Sequence, residues 1–153
     1  NAGHIPTPYH NAVAHITTIW MLSHFSKENG GTLVVPRIHT FNDNPTGDND
    51  LDPNLIHPDE SNVTGNSGDV LKFDSRLWHA TSANTTESPR VGLAVRYAPW
   101  WLNLDVLMPG SDERQRMVIE PQAQENEVDP ISTEIFNRLP KNVKPLMRHW
   151  VRD

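Results

Sequence analysis

Hydrophobic and polar residues alternate in several short runs of this chain, and such alternation is typical of β-strands. In "AHITTIWML", every second residue from Ile16 to Leu22 falls on one face, and the run is rich in β-branched and aromatic residues. "TLVVP" predicts a second strand that stops at Pro36. Because the intervening "SKENGG" is typical of a turn, these two strands together predict a hairpin.

Three further strands are predicted in "GDVLKFD", "RLWHAT" and "RVGLAVRYAP". In the last of these, Arg90 alternates in phase with Gly92, Ala94 and Arg96, whereas Val91, Leu93, Val95 and Tyr97 occupy the other face. Arg90 therefore shares its face with small residues, which leaves space for a bound group beside its guanidinium. The bulky apolar set is expected to pack on the other face.

The remaining sequence predicts few regular elements. Residues 37–67 are mostly polar and predict a long loop over one end of the domain, a length that favours a functional or mobile segment. One short helix is predicted from about Pro130 to Leu139. With 13 prolines and 8 glycines in 153 residues, the chain is expected to be one mainly β domain.

Charge and composition narrow the class of partner. A net charge of -6 without any run of Lys or Arg argues against a nucleic-acid surface and against a polybasic membrane patch, and favours a small-molecule partner. The chain has no cysteine, so His, Asp and Glu are its strong metal ligands. We expect no membrane span and a cytoplasmic location. Nothing in the composition indicates the oligomeric state.

One histidine stands out among the 8 in the chain. His79 follows Trp78 in a predicted strand, and a polar run, "ATSANTTESP", leads from it to Arg90. A single histidine in such a place is more often a hydrogen-bonded core residue than a ligand. The residues around it favour a functional site.

Two segments resemble the phytanoyl-CoA dioxygenase family of Fe(II)- and 2-oxoglutarate-dependent oxygenases. They are "IWMLSHFSKENGGTLVVPRIH" and "GDVLKFDSRLWHATSANTTESPR", and the second contains the whole pattern H-x-S/T-x-x-N-x-S/T-x-x-x-R. The resemblance implies a double-stranded β-helix, the cupin-like jelly roll, here with a short C-terminal helix. It also implies hydroxylation of a small organic molecule with O2, Fe(II) and 2-oxoglutarate.

The resemblance assigns roles to four residues. His79 is the second histidine of the iron-binding triad, and Arg90 is the planar, two-pronged donor to the far carboxylate of 2-oxoglutarate. Thr81 lies two positions after His79, on the same strand face, and is the expected hydroxyl donor to that carboxylate. Trp20 is a weaker candidate for the cosubstrate pocket, with plain core packing as its alternative.

The chain departs from the family pattern at the first two iron ligands. In the family, a His-x-Asp pair is expected before the "WML" strand, at or before Asn1, and neither His4 nor His10 is followed by a carboxylate two positions on. His57-Pro58-Asp59 matches formally, but it lies in the polar loop, which disfavours a ligand role. We therefore expect a domain over residues 1–153 that lacks its N-terminal part.

Two other functions stay open. A metal-free jelly-roll binding module would keep the arginine pocket for a carboxylate and would lack the His-x-Asp pair. A cupin-type isomerase would need several histidines on neighbouring strands, and the sequence does not group them so. The identity of the substrate is not predicted, because loops carry specificity in such folds and residues 41–66 have no decisive signature.

Overall fold

The computed structural model describes residues 13–40, 55–122 and 129–152. Six strands form two three-stranded antiparallel sheets, with the orders β4-β1-β6 and β3-β2-β5. The strands are β1 (Ile16–Met21), β2 (Thr32–Val34), β3 (Ser61–Val63), β4 (Val70–Asp74), β5 (His79–Thr81) and β6 (Gly92–Tyr97). The predicted mainly β fold of the jelly-roll class is confirmed.

The two sheets meet through aromatic side chains. Phe73 of β4 contacts the ring of His79 of β5, with 5.2 Å between the ring centroids. In the register of the first sheet, Phe73 lies opposite Thr17, and Leu71 lies opposite Ile19. These residues therefore share the inner face, where Phe73 is buried together with Met21.

The predicted hairpin between β1 and β2 is wrong. β1 pairs with β4 along one edge and with β6 along the other, so it has no free edge for β2. The chain instead crosses to the second sheet, where β2 lies between β3 and β5. Local turn signals predict where a strand ends, but they do not reveal which strands compete for its edges.

The predicted loop over residues 37–67 is also partly wrong. It contains a 3-10 turn at Ile38–Thr40 and the strand β3 near its end. The segment "SNV" is too short and too polar to show a strand pattern, and it forms a strand because β2 offers it an edge. Residues 41–54 of this segment lie outside the described residues.

The described residues fall into two compact units that divide between Pro99 and Trp100. The first unit holds both sheets. The single-domain expectation stays a prediction.

The second unit consists of short helices. They are the 3-10 turns Asp105–Leu107 and Arg148–Trp150, and the helices α1 (Asp112–Arg114, continued by one π turn, Gln115–Ile119), α2 (Thr133–Arg138) and α3 (Lys144–Met147). Val106, Leu107 and Val118 form its small core, with Trp150 packed against it.

The predicted C-terminal helix corresponds to α2. The side chain of Ser132 accepts a hydrogen bond from the backbone N–H of Ile135, at 3.3 Å, and so caps its first turn. Along the described parts of the chain, no helix is both long enough and apolar enough to cross a membrane.

Candidate functional site

His79 opens β5 on the inner face of the second sheet, beside Phe73. Its Nδ1 lies 2.8 Å from the backbone carbonyl oxygen of Leu77. Because a carbonyl can only accept, Nδ1 carries the proton in this hydrogen bond, and in the neutral ring the Nε2 atom then has the lone pair. The side chain is exposed. This is the arrangement in which a histidine binds a metal through Nε2, with the other nitrogen fixed by a backbone oxygen.

Thr81 lies two residues further along β5 and shares the face of His79. Opposite these two residues on β2 are Val34 and Thr32, both of which are buried. Because the neighbouring strand is fixed in the core, the histidine ring and the threonine hydroxyl are presented from a rigid backbone. The structure thus brings these two predicted residues to one face.

Arg90 lies just before β6, and its guanidinium packs over the ring of Phe25, with Cζ 4.4 Å from the ring centroid. The predicted open space beside Arg90 is partly filled by this ring. A Cβ added at Gly92 would lie 2.8 Å from Cζ of Phe25, so the ring occupies the space that the glycine leaves. Sequence reasoning missed Phe25, and the glycine two positions after Arg90 was the signal that a large neighbour packs there.

The pattern between His79 and Arg90 is a hydrogen-bonded turn built on Asn84. The Asn84 Oδ1 accepts from the backbone N–H and the hydroxyl of Thr86, at 2.9 and 2.8 Å. Its Nδ2 donates to the Ser88 carbonyl oxygen at 2.9 Å. Asn84 is therefore the turn-forming side chain that the sequence predicts, and it shapes the segment that leads to Arg90.

This segment is anchored on the "SKENGG" turn. The N–H and hydroxyl of Ser82 donate to the Gly31 carbonyl, and those of Thr85 donate to the Glu28 carbonyl, at 2.8 to 3.2 Å. Gly30 adopts a φ of 85°, and a Cβ there would lie 3.0 Å from the Ser82 carbonyl oxygen. The turn can approach the segment this closely because residue 30 has no side chain.

A side-chain amide also holds the turn itself in shape. The Asn29 Oδ1 accepts from the Ser26 N–H at 2.8 Å, and its Nδ2 donates to the His24 carbonyl at 2.8 Å. The two segments that carry the family resemblance thus support each other through backbone and amide hydrogen bonds.

Trp20 lies on the opposite face of β1, in register with Leu93 of β6. Its indole N–H donates to the hydroxyl of Thr18 at 3.2 Å. The structure does not bring Trp20 together with Arg90, and its role in the cosubstrate pocket stays a prediction. The bulky set expected to pack on this face is substantially exposed: Leu93 is 53% exposed and Val91 47%.

The His-x-Asp sequence at 57–59 forms a local turn. The His57 Nδ1 accepts from the backbone N–H of Asp59 at 3.1 Å, and its ring makes an edge contact with Trp78. Within the described ranges, no group of three or more His, Cys, Asp or Glu side chains is placed to hold a metal ion. An imidazole nitrogen such as that of His79 is a donor that Fe(II) accepts, and the ligand role that the resemblance assigns to His79 stays a prediction.

A charged cluster lies at the start of β1 and the end of β4. Burial raises the pKa of Asp74, but hydrogen bonds from the side chain and backbone of Arg76 lower it further, so the net shift is downward. The pKa of His15 is lowered by burial and by the charge of Arg96, against the opposing effect of Asp74. These groups link the stability of the sheet to pH.

The chain is similar in sequence to several known proteins. The sequence profile of the phytanoyl-CoA dioxygenase (PhyH) family matches residues 3–92. Dioxygenase af480 of Aspergillus fumigatus is 36% identical over 86 residues, which cover 54% of this chain and 25% of that protein. Dioxygenase andF of Emericella variicolor is 32% identical over 80 residues, which cover 51% of this chain and 25% of that protein. The matched stretch therefore spans about a quarter of each relative's length.

Among solved structures, apo HygX from Streptomyces hygroscopicus is similar, with 26% identity, a TM-score of 0.47, and coverage of 76% of this chain and 47% of that one. The family profile spans more than half of the 153 residues and includes both His79 and Arg90. This chain belongs to the phytanoyl-CoA dioxygenase (PhyH) family.

Proposed function

We propose that the full-length protein is an Fe(II)- and 2-oxoglutarate-dependent dioxygenase that hydroxylates a small organic molecule with O2. The observation that supports this most directly is the hydrogen bond between His79 Nδ1 and the Leu77 carbonyl, which in the neutral ring leaves the lone pair on Nε2. Membership of the family, and the dioxygenase names of two relatives, support the same class of reaction.

In this proposal His79 is one iron ligand. The other histidine and the carboxylate of the triad belong to a His-x-Asp pair outside the described residues. Iron, when bound, supplies the activation of O2. The Leu77 carbonyl holds the His79 ring in one orientation and makes its Nε2 a stronger donor to the metal.

Arg90 binds the far carboxylate of 2-oxoglutarate. Two parallel N–H donors of a guanidinium match the two carboxylate oxygens, and the charge is permanent at neutral pH. The Thr81 hydroxyl, on the face of His79, donates to the same carboxylate. In this arrangement, the distance between the metal and Arg90 determines how long a 2-oxo acid can be and still contact both.

Paired histidine variants test the metal site. In the full-length protein, His79→Ala is expected to abolish both Mn(II) binding, measured by calorimetry, and succinate formation from 2-oxoglutarate. His57→Ala is the matched control, because His57 belongs to the formal His-x-Asp sequence of the described residues and yet uses its Nδ1 within a local turn. Loss of metal binding in His57→Ala together with its retention in His79→Ala would refute the proposal.

The second candidate is a metal-free binding module for a carboxylate. The observation that favours it is that the described residues hold the arginine site without a complete set of metal ligands. The two functions differ in their response to a chelator. If 2-oxoglutarate binds equally well with and without EDTA, the protein is the binding module; if EDTA abolishes binding, it is the oxygenase.

A further inference from the structure

We propose that Phe25 is the positioning residue of Arg90, and that its ring holds the guanidinium in the orientation in which it meets the far carboxylate of 2-oxoglutarate. The inference rests on the proposed function, because it concerns the same arginine. It extends the function by assigning a role to an aromatic side chain that lies in the "SHFSKENG" turn, far from Arg90 in sequence.

The ring of Phe25 has a fixed place. The side chain is fully buried, at 0% exposure. Its backbone N–H donates to the Gly65 carbonyl at 2.8 Å, and the Gly65 N–H donates back to the Phe25 carbonyl at 3.1 Å. A residue held at both backbone groups and surrounded on all sides has few rotamers available, so the ring is a rigid surface for the arginine.

The contact leaves the hydrogen-bonding edge of the guanidinium available. A cation 4.4 Å from the ring centroid is attracted by the negative face of the ring, which does not use the N–H donors. Among the described residues, no carboxylate forms an ion pair with Arg90. Its donors are therefore not taken up by a carboxylate of those residues, while its guanidinium packs on Phe25.

Two features bring the ring and the arginine to the same point. Gly92 has no side chain, and the Phe25 ring fills the space that a Cβ would take. In addition, the N–H groups of Leu22 and Ser23 both donate to the Val91 carbonyl, and the Val91 N–H donates to the Ser23 hydroxyl at 2.8 Å. The residue after Arg90 is thereby tied to a residue two positions before Phe25.

A positioning role and a purely structural role predict different measurements. If Phe25 only fills the core, its replacement lowers stability and leaves the affinity for 2-oxoglutarate unchanged in the folded protein. If it positions Arg90, the affinity falls while the affinity for the metal stays the same. The effect must also vanish when Arg90 is absent.

The experiment measures the binding of 2-oxoglutarate to the full-length protein by calorimetry, with Mn(II) present and O2 excluded. Phe25→Leu is expected to raise the Kd for 2-oxoglutarate by about three- to thirtyfold, the range of a partly desolvated cation–π contact, with the Kd for Mn(II) unchanged. In the Arg90→Ala background, Phe25→Leu is expected to add nothing. Should Phe25→Leu fail to fold, Phe25→Met takes its place with the same expected result.

Val35→Ala is the control for stability, because Val35 is buried at 6% exposure and is not part of the pair formed by the Phe25 ring and the Arg90 guanidinium. It is expected to lower the free energy of unfolding and to leave the Kd for 2-oxoglutarate unchanged. If Arg90→Ala raises this Kd and Phe25→Leu does not, the positioning role is wrong and the proposed function stands. If Arg90→Ala itself leaves the Kd unchanged, the role that the proposed function gives to Arg90 is wrong, and the positioning role of Phe25 is wrong with it.

Discussion

At the scale of single residues, His79 and Arg90 of the candidate site are each restrained by one neighbouring group. The Leu77 carbonyl fixes the protonated nitrogen of the histidine, and the Phe25 ring lies under the guanidinium. Neither contact adds a charge to the site. Each restricts a side chain that would otherwise sample several rotamers, which lowers the entropy lost when a ligand binds.

A substitution at Gly92 tests the packing of the Phe25 ring directly. In Gly92→Ala the new Cβ would lie 2.8 Å from Phe25 Cζ, so the ring or the strand must move. We expect a loss of about 1–3 kcal/mol in the free energy of unfolding, measured by urea denaturation, because overpacking a fixed core has this effect. In the Phe25→Leu background the same substitution should be milder. Equal losses in both backgrounds would show that Phe25 is not the obstructing group.

At the scale of elements, the two segments that carry the family resemblance are joined by hydrogen bonds. The turn at residues 24–31 receives four hydrogen bonds from Ser82 and Thr85, and Asn84 then closes the turn that leads to Arg90. The regular spacing in "HATSANTTESPR" is explained in this way: His79 and Thr81 share a strand face, and the polar residues after them shape the return to the next strand.

Variants of Asn84 test this explanation. Asn84→Ala removes the acceptor for Thr86 and the donor to Ser88, and is expected to destabilise the protein by about 1–3 kcal/mol. Asn84→Asp keeps the acceptor and loses the donor, so it should be milder. Hydrogen exchange checks the mechanism directly: the amide of Thr86 should exchange faster in Asn84→Ala and remain protected in Asn84→Asp. Unchanged protection in Asn84→Ala would contradict the described turn.

Much of the fold could be predicted from the sequence, because the five predicted strands and the C-terminal helix follow from alternation and turn residues. The hairpin between β1 and β2 could not be judged, since β4 and β6 take both edges of β1 and lie far away in sequence. β3 was missed because a three-residue strand has no pattern of its own.

The candidate site shows the same division between local and long-range information. His79, Thr81 and Arg90 follow from a motif within 12 residues, whereas Phe25 reaches Arg90 through the packing of a distant turn. Whether Trp20 faces the cosubstrate pocket or the core depends on the register of β1 with its neighbouring strands. The alternation of residues along one strand does not determine that register.

At the scale of the whole molecule, the charged cluster around His15 predicts a dependence of stability on pH. The folded protein lowers the pKa of His15 below its usual value of 6.5, so the unfolded chain binds the proton more readily. The stabilising contribution is therefore present above pH 6.5 and is lost as the pH falls from there through the folded pKa. Asp74, whose pKa is also lowered, adds a loss that begins at more acidic pH, as the pH falls below its usual value of 3.8.

Urea denaturation between about pH 7.5 and 5 measures this effect. In the native protein, the free energy of unfolding should decrease as the pH is lowered over this range. The decrease should be smaller in His15→Gln, because glutamine cannot take up the proton. If the two proteins have the same slope over this range, His15 does not link folding to pH.

The central claim is that Arg90 binds the far carboxylate of 2-oxoglutarate while His79 holds the metal. The most direct test is the dependence of succinate formation on 2-oxoglutarate concentration in the full-length protein and in Arg90→Ala, Arg90→Lys and His79→Ala. Loss of a two-pronged buried ion pair should raise the half-saturating concentration for Arg90→Ala about a hundredfold, corresponding to roughly 3 kcal/mol. Arg90→Lys should recover part of this loss, because an ammonium cannot match both oxygens, and His79→Ala should be inactive. An Arg90→Ala protein with an unchanged dependence on 2-oxoglutarate would contradict the assignment of Arg90.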